Sequence, residues 1–194
     1  MAGSLAKALI VAGVAMIAVA AGLAYWVLAA EGNPSSYTSG EMKVYYIVPA
    51  GWTFAIFNED FERIDKIVVD KGDTVVLVAL PSPFVPEELH EEIEKEAMEK
   101  LMEAGVAQSL EQLEEFHEEA EKQLGREAYG VEFIPHGVAI EGYENKVNVD
   151  LSNGLPRVIV FEASEPGAFD IYCSVFCGVG HGYMVLDDAF VVNG

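Results

Sequence analysis

Residues 173–184 read CSVFCGVGHGYM and hold both cysteines of the 194-residue chain, one of its four histidines and a methionine. Cys173 and Cys177 are four apart, His181 follows four later, and Met184 comes three after that. Three chemistries fit such a set. A disulfide would employ the cysteines in an oxidising compartment, but would leave His181 and Met184 idle. Zinc suits two cysteines with one or two histidines, yet rarely recruits a thioether. Thiolate, imidazole and thioether together are the soft-ligand signature of copper in electron transfer. A mononuclear blue-copper site needs one cysteine. Two cysteines on one loop allow both sulfurs to lie between two copper ions, each ion taking one imidazole.

That arrangement requires a second histidine. His136, in GVEFIPHGVAIEG, stands at a boundary between expected strands, whereas His90 and His117 fall in a strongly acidic segment. The chain thus offers two thiolates, two imidazoles and one thioether, with a backbone carbonyl to complete a second copper.

The elements that carry these ligands must bring position 136 to the loop. MKVYYIVPA (42–50) alternates at period two through Met42, Val44, Tyr46 and Val48. WTFAIF, KIVVDKGDTVVLVAL, KVNVDL, PRVIVFEA, AFDIYC and AFVVNG follow, separated by Gly, Pro, Asn and Asp. Short strands at this spacing predict a mainly β chain, an antiparallel sandwich or barrel. Residues 86–126 break the pattern. Leu89, Ile93, Ala97 and Leu101 recur at spacing four, and Leu110, Leu113, Ala120 and Leu124 form a second helical stripe. Gly105 separates the two, and Ser109 with Gln112 matches a capping box. The segment reads as an acidic helical hairpin inserted between strands.

Charge is distributed unevenly. The chain carries a formal net charge of -21, and the hairpin supplies about half of it, with fourteen glutamates against Lys95, Lys100, Lys122 and Arg126. Such a run reads as a solvated face, or else as a docking surface for a basic partner; His90 and His117 are expected to be surface residues on it. Eleven Lys and Arg against thirty-two Asp and Glu exclude a nucleic-acid partner, which would demand a basic face.

Residues 8–30, ALIVAGVAMIAVAAGLAYWVLAA, are uncharged and mostly apolar. At about 1.5 Å per residue such a helix crosses a hydrocarbon core of ~30 Å. A cleaved signal peptide would have a shorter apolar region, so residues 1–30 read as a retained single-pass anchor. Lys7 before the run and Glu31 after it place the N-terminus in the cytoplasm and the rest outside. Tyr25 and Trp26 suit the outer interface. Residues 31–41, EGNPSSYTSGE, have linker composition, and 42–194 form the domain.

The run Cys173-Ser174-x-x-Cys177-Gly178-x-x-His181-x-x-Met184, with His136-Gly137 upstream, resembles the CuA motif of subunit II of haem-copper oxidases. VVDKGDTVVLV resembles a cupredoxin strand pair, and the likeness covers residues 42–82 and 129–194 with the hairpin as an insertion. The resemblance implies a cupredoxin-like Greek-key β-barrel. It implies that Cys173 and Cys177 bridge two coppers, that His136 and His181 bind one each, that Met184 is axial, and that the Val175 main-chain oxygen fills the last place. It further implies an electron-transfer subunit without catalytic residues of its own. The partners would be a haem-bearing catalytic subunit I, which alone holds haem, a soluble donor (a cytochrome c or small copper protein) and the membrane. Trp52, in AGWTF, matches the aromatic position where electrons arrive. Phe176, Val179, Tyr183 and Phe133 are expected to shield the centre from solvent.

Departures from the pattern are informative. Many family members carry Glu, a magnesium ligand, where this chain has Val175. The acidic residue usual shortly before the first histidine is replaced by the run Phe133-Ile134-Pro135. One anchor instead of two, with a non-acidic residue at 175, looks more like the B-type oxidases. A nitric oxide reductase with a similar copper subunit, and a membrane-tethered copper carrier, are the alternative readings.

Overall fold

β-branched and aromatic residues dominate the expected strand runs, and these runs form strands because their side chains pack on a pleated, buried surface. The computed structural model describes residues 40–194. The apolar run at 8–30, with its expected anchor, and nearly all of the linker lie outside the described residues. Among the described residues no helix is long and apolar enough to cross a membrane.

The first sheet has five strands in the order β10 (Arg157–Glu162), β5 (Thr74–Ala79), β1 (Met42–Ala50), β2 (Thr53–Phe57) and β3 (Arg63–Ile64). The second runs β4 (Ile67–Asp70), β12 (Val185–Asn193), β11 (Gly167–Tyr172), β8 (Gly137–Ile140) and β9 (Asn148–Asp150). A two-stranded ribbon of β6 (Arg126–Ala128) and β7 (Val131–Phe133) stands apart. The chain is mainly β, consistent with a cupredoxin-like fold. Pairing is antiparallel except for β1 with β5 and β4 with β12, which are parallel.

One core lies between the sheets, built from Tyr45, Ile47, Phe54, Ile56, Val75 and Leu77 on one side and Val138, Ile140, Ile171, Phe190 and Val192 on the other. The alternation read in β1 does not mean one wet face. Tyr46, Val48, Ala50, Ala55, Phe57, Val76 and Val78 form a second buried cluster on the opposite face, closed by Ile93 of the hairpin. Because a helix covers that face, β1, β2 and β5 are apolar at nearly every position.

The hairpin consists of α1 (Glu87–Glu103) and α2 (Leu110–Leu124), inserted between β5 and β6. Gly105 turns the chain with φ near 73°, and Ser109 Oγ accepts from the Gln112 backbone N–H at 3.2 Å. Ile93, Ala97, Leu101, Leu113 and Ala120 are buried, whereas Leu110 at the start of α2 is exposed. Both guanidinium arms of Arg63 donate to Glu96 at 2.6 Å and tie α1 to β3. His90 and His117 are not surface residues; they are half-buried on either side of Glu94. Their helix faces turn toward the barrel end because α1 and α2 pack over Trp52 and Gly51.

The VVDKGDTVV turn joins the sheets. The buried Asp73 carboxylate accepts from the Glu41 and Asp70 backbone N–H groups at 2.8 and 2.9 Å and lies 3.0 Å from Lys43 Nζ. Burial alone would raise its pKa, but the Asp70 N–H, Lys43 and the Glu41 N–H together hold it below the ordinary value. Its stabilisation is therefore complete above the unfolded-state pKa of about 3.9, and is lost as pH falls through the lower folded value. Asp73→Asn is expected to cost about 1–3 kcal/mol at neutral pH. Denaturant titration of both proteins should show the gap closing in acid; a pH-independent gap would remove this charge from the account.

Candidate metal centre

Strand ends bring the ligands together. β11 ends immediately before Cys173 and β12 begins immediately after Met184, so the ligand loop is the β11–β12 connection. Its base is closed by Cys173 N–H donating to the Met184 carbonyl at 3.1 Å. β8 pairs with β11 through Ile171 with Ile140 and Tyr172 with Ala139. That pairing sets His136, just before β8, beside Cys173. The His136 carbonyl accepts from Leu151 N–H at 3.0 Å, which fixes its backbone.

The sulfurs of Cys173 and Cys177 are 3.9 Å apart, and neither cysteine is in a disulfide. A disulfide would need about 2.05 Å. Two metal–sulfur bonds of about 2.3 Å each span the observed gap easily, so an ion can touch both. His136 Nδ1 lies 3.9 Å from Cys173 Sγ, while His181 Nδ1 and Met184 Sδ lie 3.6 and 3.8 Å from Cys177 Sγ. The Val175 carbonyl is 3.1 Å from Cys173 Sγ. The other four donors surround the sulfur pair, and those of His136, Cys173 and Cys177 lie within 4.8 Å of one another. Two thiolates, two imidazoles, a thioether and a carbonyl match soft, thiophilic metal and suit copper.

The thiols behave as a pair. A hydrogen bond from Cys177, with help from His136 and the Gly137 N–H, holds Cys173 far below the usual thiol range. That same bond, burial and the adjacent negative charge push Cys177 far above it. A metal that takes both sulfurs as thiolates must displace any proton they hold.

Trp52 is 2 % exposed, and its Nε1–H donates to the Cys177 carbonyl at 2.8 Å. Its ring meets His117 of α2 edge-on at 5.7 Å. Trp52 therefore touches the loop from behind, under the hairpin, and presents no edge to solvent. Gly180 lies flat against this indole, where a Cβ would collide with Trp52 Cγ and Cδ2. Gly178 has φ near 102° and a Cβ there would meet Ala120 of α2.

The outer side of the loop differs from the expected apolar shield. Phe133 is buried, but Phe176 and Tyr183 are 62 % and 53 % exposed and Val179 is also exposed. The loop turns these side chains away from the core because Cys177 and Met184 occupy its inner positions. Phe176 meets the His181 ring at 5.5 Å, so the exposed aromatic rim borders a ligand directly. Next to it an open depression of about 420 Å³ reaches Cys173 and Met184 between Glu141, Glu144 and Asp170. The Trp52 hydrogen bond, the overlying hairpin and this acidic depression had no local sequence signal; each arises from residues far apart in the chain.

No family model matches the chain, and no curated protein matches it. Among solved structures it is similar to a heme-copper terminal oxidase dimer determined by cryo-EM, at 18 % identity and a TM-score of 0.42, over 93 % of this chain and 95 % of that one. Values this low leave the functional reading to the site's own chemistry.

Gly180→Ala should displace Trp52 or the loop and cut metal uptake, whereas Gly182→Ala, where nothing lies within 4 Å, should bind as the parent does. Equal metal content in both variants, measured by elemental analysis, would contradict the close approach. Trp52→Phe should leave the Cys177 carbonyl without its donor and destabilise the protein by about 1–3 kcal/mol. Chemical denaturation measures this, and an unchanged midpoint would show the bond to be dispensable.

Proposed function

We propose that the chain is the CuA-bearing subunit II of a haem-copper cytochrome c oxidase, in the style of the B-type enzymes. On this reading residues 42–194 form a cupredoxin-like Greek-key domain with the hairpin inserted at 86–126. The run at 8–30 anchors it in the cell membrane, with the domain on the extracytoplasmic face. A soluble donor, a cytochrome c or small copper protein, delivers single electrons, and these pass to haem in subunit I, where oxygen is reduced to water.

The observation that carries the reading is the pair of free, buried thiols 3.9 Å apart with two imidazoles, a thioether and a carbonyl packed around them. A bound copper pair would supply one-electron chemistry, its charge changing by one, with Cys173, Cys177, His136, His181, Met184 and the Val175 carbonyl to hold it. The chain's own contribution is to keep the ligands still as that charge changes. Cys173, Cys177, Met184 and His136 are buried, and the Cys173–Met184 and Trp52–Cys177 hydrogen bonds hold the loop at its base and in its middle. Gly137 N–H points at Cys173 Sγ from 3.4 Å and favours its negative charge. The exposed rim of Phe176, Val179 and Tyr183 beside His181 supports docking by an apolar contact that excludes water. The surrounding acidic charge would speed a basic donor's approach.

Copper analysis and electron spin resonance of the full chain test this. The expected result is a pair of coppers per chain sharing one unpaired spin, seen as hyperfine coupling to both nuclei. Cys173→Ser and Cys177→Ser should each abolish the shared-spin signal. A single copper, colourless Cu(I) that chelators remove readily, or a surviving shared spin in either variant would overturn the proposal.

A further inference from the structure

The hairpin carries a second set of ligand-type side chains that the thiol centre does not use. His90 and Glu94 lie one turn apart on α1, and His117 and Glu121 one turn apart on α2. Glu94 Oε1 is 3.6 Å from His90 Nδ1 and 3.4 Å from His117 Nε2. Both separations exceed the 2.7–3.2 Å of a good N–H···O hydrogen bond, by roughly 0.2 Å or more. They approach the spacing of ligands around a tetrahedral ion, about 3.3 Å for bonds of about 2.0 Å.

The remaining ring nitrogens face outer partners. His90 Nε2 is 2.9 Å from Ser82 Oγ, within hydrogen-bond reach, whereas His117 Nδ1 is 4.0 Å from Glu121 Oε1, beyond it. A metal-bound histidine directs its second nitrogen to such a hydroxyl or carboxylate, which sets the tautomer. Glu132, Phe133 and Ile134 help close a small cavity of about 30 Å³ over these groups, next to His136. A volume of that size accommodates one water or ion. Burial keeps His90 below the ordinary imidazole range. Glu94 lies below the ordinary carboxylate range despite burial, because imidazoles flank it.

We propose that His90 Nδ1, Glu94 Oε1 and His117 Nε2 form a second metal site for one divalent cation of the zinc class, its remaining position facing the cavity. Among the described residues only His136, Cys173 and Cys177 already hold their donors within 4.8 Å of one another, so capture here draws the two imidazoles inward onto the shared carboxylate. The ion staples α1 to α2 across the hairpin, from two directions at once. Binding through His117 Nε2 requires that nitrogen to be unprotonated.

Co2+ serves as the probe, added alone to the full chain carrying Cys173→Ser and Cys177→Ser. The expected result is one Co2+ per chain with visible ligand-field bands of a tetrahedral ion and no thiolate charge-transfer band. Glu94→Gln, His90→Ala and His117→Ala should each weaken it by ~10-fold or more, the lower end of losses seen even on removing outer-shell partners. Zn2+ should raise the Tm of the Cys173→Ser, Cys177→Ser protein but not of the same protein carrying Glu94→Gln, whose near-identical shape preserves packing. No Co2+ uptake, or an affinity in all three variants equal to that of the protein without them, would overturn the site. Copper plays no part in the readout, so the test stands whatever the thiol centre binds.

Discussion

The hydrogen bond from Cys173 N–H to the Met184 carbonyl joins the first residue of the ligand loop to its last. Every donor distance at the thiol centre follows from the register it belongs to. β11 and β12 pair Tyr172 with Val185 at the loop's base, and β8 reaches the same end of β11 through only two residue pairs. A slip of one residue along β8 would turn its side chains to the opposite face, and His136 would leave the sulfurs. The centre is thus a property of sheet geometry as much as of the loop. It is held by long-range β8–β11 pairs between residues thirty-one and thirty-three positions apart.

The first sheet and the hairpin act on the same centre from behind. Because the outer face of β1, β2 and β5 is covered by α1, the sheet is held on both sides, and the β1–β2 turn that carries Trp52 is fixed against the loop. The indole is a spacer between two bodies, with the Cys177 carbonyl on one edge and His117 on another. Gly178 and Gly180 are the loop's concessions to this contact: one in a backbone region that favours glycine, the other with no room for a side chain. The hairpin is therefore part of the wall of the centre, even though it lies forty-nine residues before Cys173 at its nearest.

What was legible in the sequence was what is local. The ligand spacing, the strand runs, the two helical stripes, Gly105 and the Ser109 cap all express interactions within a few residues, and composition reports them. Placement was not legible. An acidic helix looks the same whether its histidines face solvent or the barrel, so the half-burial of His90 and His117 had no signature. Phe176, Val179 and Tyr183 are apolar, and apolarity alone argued for shielding; only the loop's path shows that Cys177 and Met184 take the inner positions. Trp52 raised the same difficulty, since a large aromatic serves equally as a contact residue or as filling. The strands β3, β6 and β7 are two or three residues long and too short for any periodicity to register.

The exposed aromatic rim has a colloidal consequence for a molecule with a formal net charge of -21. In dilute buffer mutual repulsion keeps the sticky patches of separate copies apart. Salt shortens the reach of that repulsion to about 10 Å at 0.1 M and about 3 Å at 1 M, while leaving the attraction between aromatic rings intact. Concentrated salt, ordinarily a gentle medium for so acidic a polypeptide, is the condition in which isolated copies would cluster through the face that borders His181.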